Sequence, residues 1–447
     1  MTYSPHTAAD RAGMLAAIGV DAVDDLFADI PPTVRPSGFD LPAPLSEQEV
    51  RAEMMRLAGR NRLAEVSFLG AGAYRRLIPA IVDDVVSRPE FATAYTPYQP
   101  EVSQGTLQTI YEFQSMVCEL TGLEVASASH YDGATATAEA ALMACRLTGR
   151  HRVAVSRAVH PQVRQVLATY ASGPGVEVVE IEADLAEGGS GQTDVAAAAA
   201  TVDDSVACLI VQQPNFFGQL EPMTALADVT HGVGAQFVTF VDPVSLALLE
   251  APGHYGADIA TAEGQSFGIP LAFGGPYLGL MAARMSAVRQ LPGRLVGATR
   301  DVDGRRGYVL TLQAREQHIR REKAASNICT NQALCALAAT AYLAAVGPDG
   351  LREVAERSVL AARQLVAAVE DGGHGRRRLW APYFSEVVLQ VPNAAHRHAQ
   401  LAEQGVVAGL PLAGLYPELP DTLLLATTEL TTDADVDRLV DALRSTP

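Results

Sequence analysis

Lysine is almost missing from this sequence. The 447 residues include 33 arginines and lysines, and Lys323 is the single lysine among them. Because a Schiff base with an aldehyde needs a lysine amine, chemistry of that kind must use Lys323 or lie on another chain. Basic residues are outnumbered by 51 acidic ones, which gives a formal net charge of −18. No long basic run is present, so we expect no nucleic-acid partner.

Cysteines and membrane-like runs are also scarce. The five cysteines contain no C-x-x-C pair, which predicts reduced thiols and no metal site. The uncharged stretches 264–283 and 327–348 are interrupted by glycine and proline or open with polar residues, so we interpret both as buried core. The first residues lack the pattern of a secretory signal. We therefore expect a cytoplasmic protein without a membrane segment.

Apolar residues, at 48% of the chain, are abundant enough for a large core. Residues 1–65 predict a helical arm, in which Ser46 is the N-cap and Glu49 its capping-box partner. Between residues 66 and 325, short β-branched runs such as RVAVS and QFVTFV alternate with helical stretches. This alternation predicts a large α/β domain with a mainly parallel sheet. A long alanine-rich helix and further strands predict a small α/β domain over 326–447.

Two candidate site residues follow predicted strands. Asp242 directly follows QFVTFV, and His160 comes shortly after RVAVS. The carboxyl ends of parallel strands are where such sheets bind ligands. There an aspartate can pair with a protonated heterocycle nitrogen, and a histidine can stack on a flat ring. The alternatives are an aspartate that caps the next turn and a histidine that belongs to a turn.

Asp132 stands just before a predicted helix, in the segment YDGATATAEAA. A helix N-terminus normally attracts phosphate, but a carboxylate at that position repels it. We interpret Asp132 as an N-cap and expect no phosphate group there. The glycine-rich segments FLGAGAY and FGGPYLG match neither the dinucleotide fingerprint nor the P-loop.

Two further segments carry polar groups suited to a cleft or an interface. In YTPYQPEVSQG, prolines restrict the backbone around Tyr95, Tyr98 and Gln99, which can present hydrogen-bonding groups or form an ordinary loop. The basic stretch 315–323 is either a solvated helix face or a set of arginines that bind carboxylates between subunits.

Taken together, these segments resemble the glycine dehydrogenase (decarboxylating) P-protein family, and in particular its subunit 1. The similar stretches span nearly the whole chain and are long and compositionally unbiased; they include FLGAGAY, AYTPYQPEVSQGTLQTIYEFQSMVCELTGL, YDGATATAEA, PNFFG and EGQSFGIPLAFGGPYLG. The resemblance implies fold type I of the pyridoxal-phosphate (PLP) enzymes, the aminotransferase-like fold. That fold has a large domain with a mainly parallel seven-stranded sheet and a small C-terminal α/β domain.

The resemblance also implies a division of labour between two chains. The family works as an αβ pair or an α₂β₂ tetramer, in which the β subunit holds PLP on its lysine. Glycine is decarboxylated there, and its aminomethyl group passes to the lipoyl arm of the H-protein. The α chain is a catalytically degenerate relative of β that completes the cleft of β and is inactive alone.

The family pattern assigns roles to particular residues. The window in which the cofactor lysine of this fold is expected after Asp242 holds Gln265 and Ser266, neither of which forms an imine. Asp242, His160 and His130 are then remnants of a cofactor site, and this chain has no catalytic residue of its own. The residues expected to contribute to the partner's substrate cleft are Tyr95, Tyr98, Gln99, Ser67, Arg75 and Arg76.

Departures from the family pattern leave other functions open. Arg75 and Arg76 follow GAY, and Ser127 and His130 stand before YDG, where the family differs. If the arginines reach the cleft, they favour a substrate with a second acidic group; otherwise they form salt bridges at the αβ interface. The alternatives are therefore a divergent paralogue that acts on another small amino acid, and a non-catalytic scaffold or regulatory pseudoenzyme.

Overall fold

The computed structural model describes residues 5–36, 38–326, 328 and 331–445. The chain divides into two compact units, which meet in sequence between Leu63 and Ala64. Four described cysteines carry free thiols. The fifth, Cys329, lies outside the described residues.

The first unit ends at Leu63 and is helical, and the predicted arm boundary at residue 65 stays a prediction. It contains the helices α1 (Ala8–Ile18) and α2 (Glu47–Ala58) and two short 3₁₀ turns, Val23–Phe27 and Pro32–Val34. The N-cap prediction for α2 is confirmed: the Ser46 hydroxyl accepts from the Glu49 amide at 3.3 Å, and the Ser46 amide donates to the Glu49 carboxylate at 2.7 Å. No described residue of this unit is buried. Its helices are therefore set by local capping rather than by a core.

The second unit is built around a seven-stranded sheet, ordered β2-β8-β7-β6-β5-β3-β4. The strands of the unit are β1 (Val66–Ser67), β2 (Val125–Ala126), β3 (Arg152–Ser156), β4 (Glu177–Ile181), β5 (Val206–Gln213), β6 (Gln236–Val241), β7 (Ile259–Glu263), β8 (Gly279–Ala283), β9 (Val296–Arg300), β10 (Arg306–Leu310), β11 (Arg376–Arg377), β12 (Glu386–Gln390), β13 (Val406–Val407), β14 (Leu410–Pro411) and β15 (Thr422–Ala426). Neighbours from β4 to β7 run parallel, and β8 is antiparallel to both β7 and β2. The mainly parallel sheet expected from the β-branched runs is confirmed.

Helices cover both faces of this sheet. The helices of the second unit are α3 (Ala80–Val86), α4 (Pro89–Ala92), α5 (Gln104–Thr121), α6 (Gly133–Thr148), α7 (Pro161–Ser172), α8 (Val195–Thr201), α9 (Met223–Gly232), α10 (Gln317–Arg320), α11 (Ala333–Asp371), α12 (Ala394–Glu403) and α13 (Asp433–Ser445). Met143 of α6 and Leu167 of α7 belong to the same buried cluster as Ile210 of β5. Leu226 of α9 packs with Leu209 and Phe237. Coverage on both faces explains why β5 is apolar along nearly its whole length.

A second sheet, ordered β11-β12-β15-β14, forms with α12 and α13 the smaller α/β layer expected at the C-terminus. The predicted division of the chain at residue 325 stays a prediction. A strand pair connects the parts of the chain before and after residue 325. In it, Val66 and Ser67 of β1 pair in parallel with Val406 and Val407 of β13.

Helix α11 is long and apolar enough, by length and composition alone, to cross a membrane. Its regular helical geometry is interrupted at Gly347, which is followed by Pro348. Leu337 and Tyr342, in the first part of α11, are buried against Phe267 beside the large sheet. Within the described part of 327–348, the buried residues lie between 336 and 342, and only this part is packed as core as its sequence indicates.

Candidate functional site

A cleft of about 300 Å³ opens where β5, β6 and β7 end. Because the carboxyl ends of parallel strands meet at one edge, residues far apart in sequence converge here. Most of its polar lining comes from strand ends, helix starts and the glycine-rich segment 70–74: Tyr74, Asp132, His160, Gln162, Gln212, Asp242, Glu263, Ser266 and Tyr277. Four residues were singled out from the sequence and are brought by the fold to this one cleft: Asp132, His160, Asp242 and Ser266.

Asp242 follows the last residue of β6. Its carboxylate accepts from the Val244 amide at 3.0 Å, so it also caps the turn after the strand. Burial raises the pKa of Asp242, and the nearby Arg76 guanidinium opposes that rise. The sequence left two roles open for Asp242: facing a ligand or capping the next turn. In the structure Asp242 both lines the cleft and caps the turn.

His160 is the N-cap of α7 and is held at both ring nitrogens. Its Nδ1 accepts from the Gln162 amide at 3.1 Å, which assigns the proton to Nε2, and Nε2 donates to the Ala71 carbonyl at 2.8 Å. Burial lowers the pKa of His160, so the neutral ring is favoured. A Cβ atom at position 72 would lie 3.0 Å from Nε2 of His160, so any residue larger than glycine would crowd the ring. The imidazole is therefore locked edge-on against the segment 70–74.

The N-terminus of α6 is filled by carboxylates. Asp132 is the N-cap, as predicted, and accepts from the Thr135 amide at 2.7 Å. The Gly133 amide donates to Glu263 at 2.9 Å. Burial, with a smaller contribution from Asp132, raises the pKa of Glu263 to about 7. Two of the amide hydrogens that would bind a phosphate, those of Gly133 and Thr135, are thus already bonded within the protein.

Gln265 ties the cleft floor to the segment above it. Its amide oxygen accepts from the Tyr74 amide at 2.8 Å, and its NH₂ group donates to the carbonyls of Tyr74 at 3.0 Å and Ile269 at 2.8 Å. The side chain is buried, whereas its neighbour Ser266 lines the cleft. The Gln265 side chain therefore has a structural role, because its amide holds the backbone at Tyr74 and Ile269.

These residues do not fit PLP bound to this chain. An amide stands where the covalent lysine is expected, and two carboxylates occupy the helix N-terminus. Among the described residues that line the cleft, three are acidic and none is a lysine or arginine. A phosphate-bearing cofactor would meet repulsion here instead of a cationic or amide cradle.

The position of Arg76 corrects an expectation. Its guanidinium is buried and pairs with Glu429 at 2.7 Å, and it also donates to the Ser358 hydroxyl at 3.2 Å. It neither lines the cleft nor reaches a surface where a partner could bind, because Glu429 holds it inside the second unit. Arg75, next to it, is exposed.

His130 is also corrected. It forms a single β-bridge with Gly279 and is fully buried, and neither ring nitrogen has a hydrogen-bond partner among the described residues. Burial lowers the pKa of His130 to about 4. Because it is packed beneath the chain surface, it does not line the cleft as a cofactor-site residue would.

The remaining predicted residues lie elsewhere on the surface. Tyr95 is 80% exposed and Tyr98 46% exposed, while Pro97 between them is buried. Gln99 and Ser67 are exposed as well. Within the described chain, none of these residues lines the cleft. The structure thus places Asp242 and His160 in the cleft, and the residues predicted to face the partner outside it.

Sequence reasoning missed Tyr74, Glu263 and Glu386. Tyr74 donates to Glu386 at 2.9 Å, and the Ala71 amide donates to the other carboxylate oxygen at 2.7 Å. Burial raises the pKa of Glu386 to about 7. Glu263 could have been found from its place at the end of IATAE, an apolar run that forms β7. Glu386 is brought in by the C-terminal layer, and nothing local in the sequence indicates that.

Comparisons with known proteins agree with the fold and the cleft. The family model "Glycine cleavage system P-protein" matches residues 1–443. A probable glycine dehydrogenase (decarboxylating) subunit 1 from Moorella thermoacetica is 54% identical over 446 residues, covering 99% of each chain. Its counterpart from Thermomicrobium roseum is 50% identical over 449 residues, again covering 99% of each chain.

Solved structures extend the comparison. A crystal structure of the glycine decarboxylase (P-protein) of the glycine cleavage system, in inhibitor-bound form, aligns over 100% of both chains with a TM-score of 0.91 and 45% identity. A sphingosine-1-phosphate lyase of Burkholderia pseudomallei aligns over 93% of this chain and 94% of its own, with a TM-score of 0.66 and 16% identity. A NifS-like protein from Rickettsia africae aligns over 85% of this chain and 99% of its own, with a TM-score of 0.63 and 12% identity. The last two show the fold alone, which is fold type I of the PLP enzymes. With a family match across nearly its whole length, this chain belongs to the glycine cleavage system P-protein family.

Proposed function

We propose that this chain is the α subunit of a PLP-dependent glycine decarboxylase, and that it lacks the lysine that binds the cofactor. In this proposal a partner β subunit holds PLP on its own lysine and decarboxylates glycine. The α subunit completes the active site of β, and the aminomethyl group passes to a lipoyl H-protein. The chain is inactive alone and works in a soluble, cytoplasmic αβ or α₂β₂ complex.

The observation that carries the proposal is the state of the chain's own cleft. It has the position and the Asp242 and His160 residues of a cofactor site, but Gln265 and the carboxylates of Asp132 and Glu263 disfavour the cofactor. A fold that keeps a cleft without its covalent anchor is expected to act through another chain. The relatives named subunit 1 support the same division.

We assign the contribution to the partner to Tyr95, Tyr98 and Gln99, with Ser67 and Arg75 as further candidates. The tyrosines are exposed on a segment whose backbone is restricted by Pro97 and Pro100, so their hydroxyls can be presented at low entropic cost. A neutral hydroxyl can bind a carboxylate that must leave as CO₂. A tight arginine pair would stabilise the ground state instead and slow its loss.

Reconstitution tests this function. The β subunit, the H-protein and this chain are purified separately, and exchange of ¹⁴C-bicarbonate into glycine is measured with β alone, this chain alone and both. We expect exchange from the mixture only. Equal exchange by β alone would establish the scaffold alternative. Exchange with another small amino acid but not glycine would establish the paralogue alternative.

A further inference from the structure

Tyr98 contacts a buried arginine, Arg294, which the sequence alone did not single out. Nη2 of Arg294 lies 3.3 Å from the Tyr98 hydroxyl, and the guanidinium carbon lies 5.6 Å from the centre of the tyrosine ring. Arg294 is buried, whereas Tyr98 is half exposed. The arginine therefore contacts the inner side of a side chain whose outer side faces solvent.

Hydrogen-bond chemistry fixes the direction of the tyrosine proton. A guanidinium has donors only, so the Tyr98 oxygen must accept from Arg294. The hydroxyl hydrogen is then left to point away from the guanidinium. An acceptor approaching the exposed side, such as a carboxylate, would find a donor already oriented.

Arg294 is itself fixed by the backbone around it. Its carbonyl accepts from the Ala128 amide at 2.9 Å, beside the central sheet. Two residues on, the side-chain amide of Gln114 bonds both the N–H and the C=O of Val296, at 2.9 and 3.0 Å. Gly293 supplies the positive φ of 80° that the turn before Arg294 requires. The guanidinium thus extends from a rigid point of the fold.

The basic stretch 315–323 supplies the other support. Arg315 donates to the carbonyls of Leu291 and Gly293, which clamps the turn before Arg294. Glu316, next along the chain and also buried, places one carboxylate oxygen 3.7 Å from Arg294 Nε and 3.7 Å from His318 Nδ1. The His318 ring contacts the edge of Tyr98 with centroids 5.7 Å apart. Two of the charged residues expected to be solvated or intersubunit therefore support this chain's own tyrosine.

We propose that Arg294 is a positioning residue for Tyr98: supported by Glu316, it holds the phenol so that its hydroxyl donates to an acidic group of the substrate in the partner's cleft. This rests on the proposed function, in which Tyr98 reaches that cleft. The geometry selects a substrate whose carboxylate accepts a single hydrogen bond from a neutral donor.

A double-mutant cycle in the reconstituted αβ complex tests the proposal. The variants are R294Q, Y98F and the pair, and kcat and KM for glycine exchange are measured separately, with assembly checked by size-exclusion chromatography. We expect each single variant to lower kcat/KM by about tenfold. In the Y98F background, R294Q should change kcat/KM by less than about twofold, because the hydroxyl that Arg294 positions is already absent. R294K, which keeps the positive charge and N–H donors on a single nitrogen, should recover part of the loss relative to R294Q.

Controls separate the two proposals. Arg306 offers a matched variant, because its guanidinium lies 5.9 Å from the Tyr308 ring; R306Q should leave kcat/KM unchanged. If R294Q fails to assemble, E316Q loosens the arginine from the other side and enters the same cycle. No effect of Y98F in an assembled complex would overturn the role of Tyr98 itself. Suppose instead that Y98F lowers kcat/KM. If R294Q then lowers kcat/KM equally in the wild-type and Y98F backgrounds, or has no effect, only the positioning by Arg294 is overturned.

Discussion

Glu221 is a carboxyl group buried away from the cleft, and it links the protein's stability to pH. It accepts from the Thr193 amide at 2.9 Å and from the Asn215 side-chain amide at 2.7 Å. Burial raises the pKa of Glu221 from 4.5 to about 7. Because the folded-state pKa lies above the unfolded one, its stabilising contribution is complete below about pH 4.5. That contribution is lost as the pH rises through about 7.

We therefore expect E221Q to gain stability relative to the wild type as the pH rises from 5 to 8.5. Glutamine keeps the shape but carries no charge, so the difference in unfolding free energy should move in its favour by up to about 3 kcal/mol. Melting temperatures at the two pH values measure this. E403Q, at an exposed position, should shift equally at both. A constant gap between wild type and E221Q would show that Glu221 is ionised throughout.

Gln265 gives a second prediction at the residue scale. Restoring a lysine there should not by itself create a cofactor site, because an ammonium cannot accept from the Tyr74 amide and the N-terminus of α6 remains closed by carboxylates. After incubation with PLP and borohydride reduction, we expect peptide mass mapping of Q265K to show no stoichiometric adduct at residue 265. Q108K, at an exposed site on α5, reports surface labelling. A stoichiometric adduct at residue 265 alone would contradict the argument.

At the scale of elements, α6 shows how a helix start decides what the cleft can bind. Asp132 is an N-cap in a reciprocal capping box with Thr135. Removing the cap in D132A should lower the free energy of unfolding by about 1 kcal/mol, whereas D132S should lower it by less than half as much, since serine also caps well. Urea denaturation at pH 7 measures both. Equal losses in the two variants would mean that the carboxylate acts through charge rather than as a cap.

The elements near the cleft were predictable to different degrees. Local signals predict part of the site. Apolar runs predict the strands β3, β5 and β6, and a capping residue next to a helical stretch predicts the N-cap Asp132. Arg76 and His130 were misplaced because burial and long-range pairing decide their positions: Glu429 lies more than 300 residues from Arg76. The support of Tyr98 by Arg294 and Glu316 was likewise hidden, since it joins three segments that meet only in the fold.

At the scale of the whole molecule, the arm 1–63 and the unit 64–447 differ in how they are stabilised. The buried clusters of the second unit are drawn from its own residues, and no described residue of the arm is buried. The arm nevertheless exposes large apolar side chains, among them Phe39 at 83% and Leu63 at 91%. Exposed apolar surface on this scale is typical of a segment that is buried in an assembly.

Deleting residues 1–63 should therefore separate folding from assembly. We expect the remaining chain to keep its melting temperature within a few degrees, because it loses no core side chain. Its association with the partner subunit should weaken by at least about tenfold, because the exposed apolar side chains of the arm are of the kind that interfaces bury. Thermal unfolding of the isolated chain and titration calorimetry with the β subunit measure the two effects. F39S/L63S in the full chain is the milder variant and should weaken association in the same direction. A large fall in melting temperature would place the arm within the fold of the chain, and unchanged affinity would assign its apolar side chains to some other surface.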